Sequence, residues 1–158
     1  MKKSFFNKHA LVCGSTDGIG KESALQLAKN GCEVTLISRN EKKLIQTLGE
    51  LSSGEMQNHS FLVADFNETS LLEKKICDYV KNLNKPIHIL VNNSGGPKGG
   101  SLLEAGLDEF RQTFERLLIA NQIMAQAVAP IMKKNNYGRI INIISTSVKQ
   151  VIPGLGVS

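Results

Sequence analysis

Two kinds of segment follow each other along the chain. Short, nearly continuous apolar runs, typical of strands buried on both faces of a parallel sheet, alternate with longer segments whose apolar residues recur at helical spacing. The apolar runs, which we predict to be five parallel strands, are residues 9–13, 33–37, 61–64, 87–91 and 139–144. This regular exchange predicts an α/β fold built from successive βαβ units.

The segments between the runs also carry signals for helix ends. The predicted helices are residues 19–30, 41–51, 71–83 and 107–134. Gly31 suits the left-handed stop of the first helix, and Asn40 suits the cap of the second. Ser70 and Glu73 have capping-box spacing before the third helix. Pro130 should bend the long fourth helix near its end.

Composition narrows the class of protein. The 158 residues are 41% apolar and 21% charged, which predicts a single globular domain over residues 1–158. The formal charge is +5, but the lysine pairs are dispersed along separate segments, so we expect no nucleic-acid binding. A positive surface still favours an anionic, phosphate-bearing ligand.

Cysteine, histidine and apolar patterns argue against several other classes. The three cysteines, Cys13, Cys32 and Cys77, are far apart and show no zinc spacing with the histidines. We therefore expect no metal site and a reducing, cytoplasmic location. No apolar stretch reaches the length of a membrane span, so we expect no membrane association.

The most informative motif lies between the first strand and the first helix. Gly14, Gly18 and Gly20 have the spacing of a turn that cradles a dinucleotide. The first glycine permits a sharp turn, the second lets backbone amides approach a diphosphate, and the third lets the helix pack closely on the sheet. The helix N-terminus then attracts the anion.

The end of the second strand bears on the choice of coenzyme. A site for NAD usually offers a carboxylate about 20 residues after the glycines, but this chain has Ser38, Arg39 and Asn40 there. A guanidinium can make paired hydrogen bonds to a 2′-phosphate. We therefore favour NADP(H) over NAD(H), with a surface arginine at the strand end as the alternative.

Together these motifs resemble the short-chain dehydrogenase/reductase family. Residues 14–20 match its glycine motif, with Cys13 in place of the threonine that precedes it, and residues 92–95 resemble its Asn-Asn-Ala-Gly element. Residues 138–145 resemble the family's fifth strand. The resemblance implies a doubly wound parallel sheet, the Rossmann fold, in strand order 3-2-1-4-5, with the cofactor between strands one and four.

The resemblance also implies roles for individual residues. The cofactor-binding residues would be Gly14, Ser15, Gly18, Ile19 and Gly20 for the diphosphate, Arg39 for the extra phosphate, Asp65 for the adenine and Asn92 for the ribose. The catalytic residues would be Ser145, which orients the substrate oxygen, and Asn121, which holds a relay water. Asn92 would also steady the central sheet.

The family's Tyr-x-x-x-Lys motif is missing from this sequence. The usual interval places its tyrosine at or near Ser158, so either the motif is truncated away or its tyrosine is replaced, and neither Tyr79 nor Tyr137 is an obvious substitute. We therefore expect a chain that lacks the last third of a typical family domain and reduces or oxidises a small carbonyl or alcohol substrate poorly. Residues 93–100 resemble the loop of 3-oxoacyl reductases.

A non-catalytic dinucleotide-binding or regulatory module stands as an alternative to the enzyme, and so does a truncated remnant that binds nothing. We also expect a homo-oligomer to be weakened by the missing segment.

Overall fold

The computed structural model describes residues 4–54 and 57–158. Its strands are β1 His9–Cys13, β2 Glu33–Ser38, β3 Ser60–Val63, β4 Ile89–Asn92 and β5 Arg139–Asn142. They form one sheet in the order β3-β2-β1-β4-β5, and every neighbouring pair is parallel. The predicted doubly wound sheet and its strand order are confirmed.

Helices connect the strands. They are α1 Gly18–Lys29, α2 Glu41–Glu50, α3 Thr69–Asn82, α4 Leu107–Phe114 and α5 Ala120–Lys134, with short 3₁₀ turns at Leu102–Glu104 and Thr146–Val148. Two predicted helix ends are confirmed. Gly31 follows α1 with a φ of 91°, and the Asn40 side chain accepts a hydrogen bond of 3.1 Å from the Lys43 N–H at the start of α2.

The predicted start of the third helix was wrong. The cap residue of α3 is Glu68, without a side-chain cap, so Ser70 already lies in the first turn. The reason is the preceding turn, in which the Asp65 carboxylate accepts a hydrogen bond of 2.9 Å from the Asn67 N–H. That turn lets the Glu68 carbonyl accept the first helical hydrogen bond, from Leu72, and the capping box at Ser70 is not used.

The predicted long helix is divided by a π-helical segment, Glu115–Ile119, between α4 and α5. The Ala120 N–H donates to the Glu115 carbonyl, five residues earlier. A π-helical turn contains one residue more than an α-helical turn. Single turns of this kind within α-helices are frequent at functional sites. Pro130 lies inside α5, and the bend expected there stays a prediction.

Alternate residues of each central strand face opposite layers of the core. Leu11 and Cys13 of β1 pack in the cluster formed with α3 and α5, whereas Ala10 and Val12 pack in the cluster formed with α1 and α2. All four side chains are fully buried. Burying one large apolar side chain contributes about 1.5–3 kcal/mol, so the two layers stabilise the sheet. Because every neighbouring pair of strands is parallel, the carboxyl ends of the strands lie at the same end of the sheet.

Within the ranges described, no helix combines the length and the apolar character that a membrane crossing requires.

Candidate functional site

The glycine turn after β1 is packed so tightly that side chains are excluded from it. A Cβ on Gly20 would lie 2.2 Å from the Gly14 carbonyl oxygen, and one on Gly14 would lie 2.6 Å from the Asn93 Nδ2 atom. Asn93 Nδ2 also donates a hydrogen bond of 3.3 Å to the Gly14 carbonyl oxygen. Gly14 and Gly18 have φ values of 57° and 49°, which favour glycine.

The turn leads to a helix N-terminus that is open to an anion. Asp17, the cap residue of α1, makes no side-chain cap, and the first turn carries no acidic residue. The Asp17 carboxylate instead lies 2.8 Å from Lys43 Nζ. The hydrogen bond and the charge of Lys43 lower the pKa of Asp17. A Cβ added to Gly18 would meet no atom of the described residues within 4 Å. The free N–H groups can therefore bind a phosphate.

Two residues expected at the diphosphate have other surroundings. Ser15 is fully buried, and both its N–H and its hydroxyl donate to the Ile37 carbonyl oxygen, over 3.4 Å and 3.3 Å. Ile19 is 60% exposed at the start of α1. Their contact with a diphosphate stays a prediction, and the Ser15 donors are already used within the protein.

A groove opens at the carboxyl ends of β2, β3 and β4. We call it the Arg39 groove; its volume is about 210 Å³. It is lined by Gly14, Ile37, Ser38, Arg39, Ala64, Asp65, Phe66, Asn67, Asn93, Ser94, Gly95, Gly96 and Arg116. The structure thus brings together Gly14, Arg39 and Asp65, three of the residues predicted from the sequence.

Arg39 and Asp65 form a loose ion pair at the rim of this groove. Arg39 Nη1 lies 3.9 Å from Asp65 Oδ2, and the arginine side chain is 70% exposed. Exposed pairs of this kind contribute about 0–1 kcal/mol. The guanidinium can therefore turn toward a phosphate at little cost.

Sequence reasoning assigned no role in coenzyme binding to Asn93, Asn67 and Arg116, which also line the groove. Asn93 adjoins the predicted Asn92 and could have been found from that motif. Asn67 had no signal, because its place depends on the turn after β3. Arg116 had none either, since a charged residue in an amphipathic helix normally indicates a solvated face.

The Asn92 side chain joins three elements beneath the groove. Its Nδ2 donates to Asn142 Oδ1 over 2.9 Å and to the Asn121 carbonyl oxygen over 3.3 Å. The Cys13 thiol lies 3.9 Å from Asn92 Oδ1, and burial raises the pKa of Cys13. Asn92 is 1% exposed. These contacts agree with a role in steadying the sheet, whereas its contact with a ribose stays a prediction.

Asn121 follows the π-helical segment directly. Its Nδ2 donates a hydrogen bond of 2.8 Å to the Leu117 carbonyl oxygen. Its Oδ1 atom is buried and has no hydrogen-bond partner among the described residues. A buried polar atom normally has a partner, in protein or in ordered water. This acceptor therefore suits the water that the resemblance implies.

Ser145 lies just beyond β5 and begins the last 3₁₀ turn. Its Oγ accepts hydrogen bonds from the Ser147 N–H, over 3.1 Å, and from the Ser147 hydroxyl, over 2.8 Å. The Ser147 hydroxyl has a single proton and also lies 3.3 Å from Ser158 Oγ, so Ser145 can donate to a substrate oxygen when Ser147 donates to Ser145. The structure places Ser145 outside the Arg39 groove.

Both tyrosines have structural contacts away from Ser145. The Tyr79 hydroxyl lies 2.7 Å from Thr35 Oγ1. The Tyr137 ring packs edge-on against His88, with ring centroids 5.8 Å apart. His88 precedes β4, so Tyr137 lies at the amino ends of the strands, whereas Ser145 follows the carboxyl end of β5. Neither phenol is placed to give a proton to an oxygen held by Ser145.

Comparison with known proteins identifies the family. The model of the short chain dehydrogenase family matches residues 8–157. The chain belongs to that family. It is 34% identical over 142 residues to a very-long-chain 3-oxoacyl-CoA reductase from Anas platyrhynchos, a match covering 87% of this chain and 45% of that protein.

Two further matches illustrate the range of the family. The chain is 32% identical to the inactive hydroxysteroid dehydrogenase-like protein 1 of Homo sapiens, with 95% of this chain and 46% of that protein covered. A solved variant of actinorhodin polyketide ketoreductase with NADPH is 31% identical and has a TM-score of 0.83, covering 96% of this chain and 58% of that one. The chain spans about half the length of these curated relatives.

Proposed function

We propose that this chain binds NADP(H) and belongs to an oxidoreductase that acts on carbonyl or alcohol groups. The observation that carries the proposal is the cradle at the N-terminus of α1. Gly14 and Gly20 leave no room for a Cβ, and the first turn of the helix has no acidic residue to repel an anion. This combination of close backbone approach and free N–H groups suits a dinucleotide diphosphate.

The preference for NADP(H) over NAD(H) rests on Arg39. The Arg39 guanidinium lies at the rim of the groove, where the adenosine ribose would bind. It lies 3.9 Å from the carboxylate of its partner, Asp65. A 2′-phosphate would offer closer, paired hydrogen bonds. Asp65 would then be free to accept a hydrogen bond from the adenine amine.

The substrate class follows from the relatives as much as from the site. Matches named very-long-chain 3-oxoacyl-CoA reductase support a 3-oxoacyl thioester as substrate. NADPH, held by the cradle at α1 and by Arg39, would supply a hydride to the carbonyl carbon, and a proton delivered from water to the carbonyl oxygen would complete the alcohol. Ser145 would donate a hydrogen bond to the carbonyl oxygen, and Asn121 would hold a water through Oδ1, which has no hydrogen-bond partner among the described residues.

Turnover by these 158 residues should be slow, because neither tyrosine can act as the general acid beside Ser145. Tyr79 contacts Thr35, and Tyr137 packs against His88. Loss of general acid catalysis costs about 10²- to 10⁴-fold in rate. The same observation favours a second function, a dinucleotide-binding module without catalysis. A relative whose name calls it inactive also supports this second function.

Binding and turnover measured on the same sample separate the two functions. Purified protein is titrated with NADPH, then incubated with NADPH and acetoacetyl-CoA while nicotinamide absorbance is followed. Slow oxidation that Ser145→Ala reduces without weakening NADPH binding would support the enzyme. Tight binding with no oxidation above the protein-free rate would support the module, and no binding would contradict both.

A cytoplasmic location, a single domain over residues 1–158 and a homo-oligomer remain predictions. Free, buried Cys13 and Cys32 support the first of these. We propose no nucleic-acid partner.

A further inference from the structure

Three neighbouring strands each carry a basic side chain at the amino end. Lys8 lies directly before β1, His88 lies directly before β4, and Arg139 begins β5. The three strands are adjacent and parallel, so these side chains meet at one end of the sheet. That end is opposite the carboxyl ends of the strands, where the glycine turn and the Arg39 groove lie.

The Tyr137 ring holds the three basic side chains together. Lys8 Nζ lies 4.2 Å from the ring centroid, and Arg139 Cζ lies 5.0 Å from it. The His88 ring packs edge-on against the same ring. Within the described ranges, neither Lys8 nor Arg139 forms a salt bridge with a carboxylate. Two cations held on one ring create a positive potential that attracts an anion.

His88 provides a hydrogen-bond donor beside the Lys8 ammonium. Its Nδ1 accepts a hydrogen bond of 3.0 Å from the His9 N–H, so the proton of the neutral ring is on Nε2. Burial, with the charge of Lys8 next in importance, lowers the pKa of His88, which keeps the ring neutral at neutral pH. No described residue accepts a hydrogen bond from Nε2. This N–H is therefore free for a ligand.

Lys8 and His88 line a pocket of about 230 Å³ at the amino ends of the strands. We call it the Lys8 pocket. Liquid water occupies about 30 Å³ per molecule, so the pocket has room for a ligand of several heavy atoms. Its other charged side chains, Lys85 and Glu33, pair with each other. The charge of Lys8 therefore remains unbalanced, and the pocket favours an anion.

We propose that the Lys8 pocket binds a phosphate group. The Lys8 ammonium and the His88 Nε2–H donate hydrogen bonds to different phosphate oxygens. A phosphate suits these donors because its oxygens point in several directions, and lysine binds phosphate as a point charge. The phosphate is either free or carried as a monoester by a small molecule. Binding joins the amino ends of β1 and β4, so it stabilises the folded chain. The site is separate from the proposed dinucleotide site.

Amide NMR spectra of the folded chain, titrated with inorganic phosphate at constant ionic strength, locate the bound anion. The amide signals of His9 and Ile89, which flank the pocket, should shift saturably. The signals of Gly18 and Gly20 report separately on phosphate bound at the glycine cradle. A parallel titration with glycerol phosphate distinguishes the two sources. Tighter binding of glycerol phosphate would assign a monoester, and equal or weaker binding would assign free phosphate.

Two variants test the donors. Lys8→Gln removes the ammonium, so the dissociation constant measured at the His9 and Ile89 signals should rise by about tenfold. His88→Gln keeps an acceptor for the His9 N–H and a donor for the phosphate, so it should retain most of the affinity. Lys74→Gln is the matched control, because Lys74 is exposed in α3 and lies outside the pocket. It should leave the affinity unchanged.

Several results would overturn the proposal. Phosphate that shifts only the Gly18 and Gly20 signals would be bound at the cradle alone. Sodium chloride that produces the same shifts at His9 and Ile89 would show general screening of charge. A loss of affinity in Lys74→Gln equal to that in Lys8→Gln would show the same. Unchanged affinity in Lys8→Gln would remove the ammonium from the site.

Discussion

Asn92 and Asn142 face each other at the carboxyl ends of β4 and β5, and the Asn92 amide donates a hydrogen bond of 2.9 Å to Asn142 Oδ1. The same amide group donates to the Asn121 carbonyl oxygen. One buried side chain thus links two strands to the helix that follows the π-helical segment. The position of Asn121 depends on this link.

Asn92→Asp should destabilise the chain strongly. The substitution replaces two donor hydrogens with an acceptor that faces two oxygens in a buried place, which costs about 3 kcal/mol of unfolding free energy. Asn142→Asp is the control, because an aspartate there can still accept the hydrogen bond at an exposed edge. Urea unfolding of both variants measures the difference. Equal stabilities would show that the Asn92 amide does not hold these elements together.

Gly20→Ala should remove coenzyme binding and lower stability. Its Cβ would lie 2.2 Å from the Gly14 carbonyl oxygen and 2.7 Å from Asn93 Nδ2, so the turn must open. Overpacking of this kind costs about 1–3 kcal/mol. Thermal unfolding gives the stability, and NADPH titration gives the binding.

Gly49→Ala controls for the substitution itself. Gly49 lies in α2, and no atom of the described residues lies within 4 Å of an added Cβ. Alanine there should stabilise the helix by about 0.5–1 kcal/mol and leave NADPH binding intact. If Gly20→Ala bound NADPH as tightly as Gly49→Ala does, the cradle would not be the diphosphate site.

Stability should fall with acid before the carboxylates titrate. Burial, with the positive charge of Lys85 next in importance, lowers the pKa of His9 to about 3 from 6.5. Between these two pKa values, His9 is protonated in the unfolded chain and neutral in the folded chain. The free energy of unfolding therefore decreases as pH falls. The slope from this one group is about 1.4 kcal/mol per pH unit.

His9→Gln tests that slope. The variant loses the contact between His9 Nε2 and Thr35 Oγ1, which lie 2.8 Å apart, so it is less stable at neutral pH. Between about pH 6 and about pH 4.5, the unfolding free energy of the variant should change less than that of the unaltered chain. The difference in slope should correspond to the uptake of roughly one proton on unfolding. His88, whose pKa burial also lowers, retains its own share in both proteins. Identical slopes would mean that His9 is not the group responsible.

The fold could be predicted because burial on both faces of the sheet leaves a direct record in the sequence. The run Ile87 to Val91 is apolar except for His88, and the strand β4 begins within it at Ile89. The glycine turn could be predicted for a similar local reason, since its backbone angles and close contacts exclude side chains. The strand order came from the family resemblance.

The rest of the site depends on contacts that no local pattern contains. Ser15 satisfies its donors with the carbonyl of Ile37, a residue 22 positions away. Arg116 lines the groove from the π-helical segment before Asn121. Ser70 is not a cap, because a turn held by Asp65 starts α3 earlier. Each outcome is set by tertiary packing.

Arg39→Gln should reduce the preference between coenzymes. The variant loses the charge that would meet the 2′-phosphate, so the affinity for NADPH should fall by about tenfold or more. The affinity for NADH should change little, because Arg39 is 70% exposed and supports no buried contact. Fluorescence titration of both coenzymes measures the ratio. A parallel loss for NADH would assign Arg39 to a part that the coenzymes share.

Calorimetric titration of the folded 158-residue chain with NADPH tests the central claim most directly. The account predicts saturable heat with one site per chain, tighter for NADPH than for NADH, and lost in Gly20→Ala. Folded protein that gives no heat with either coenzyme would contradict it.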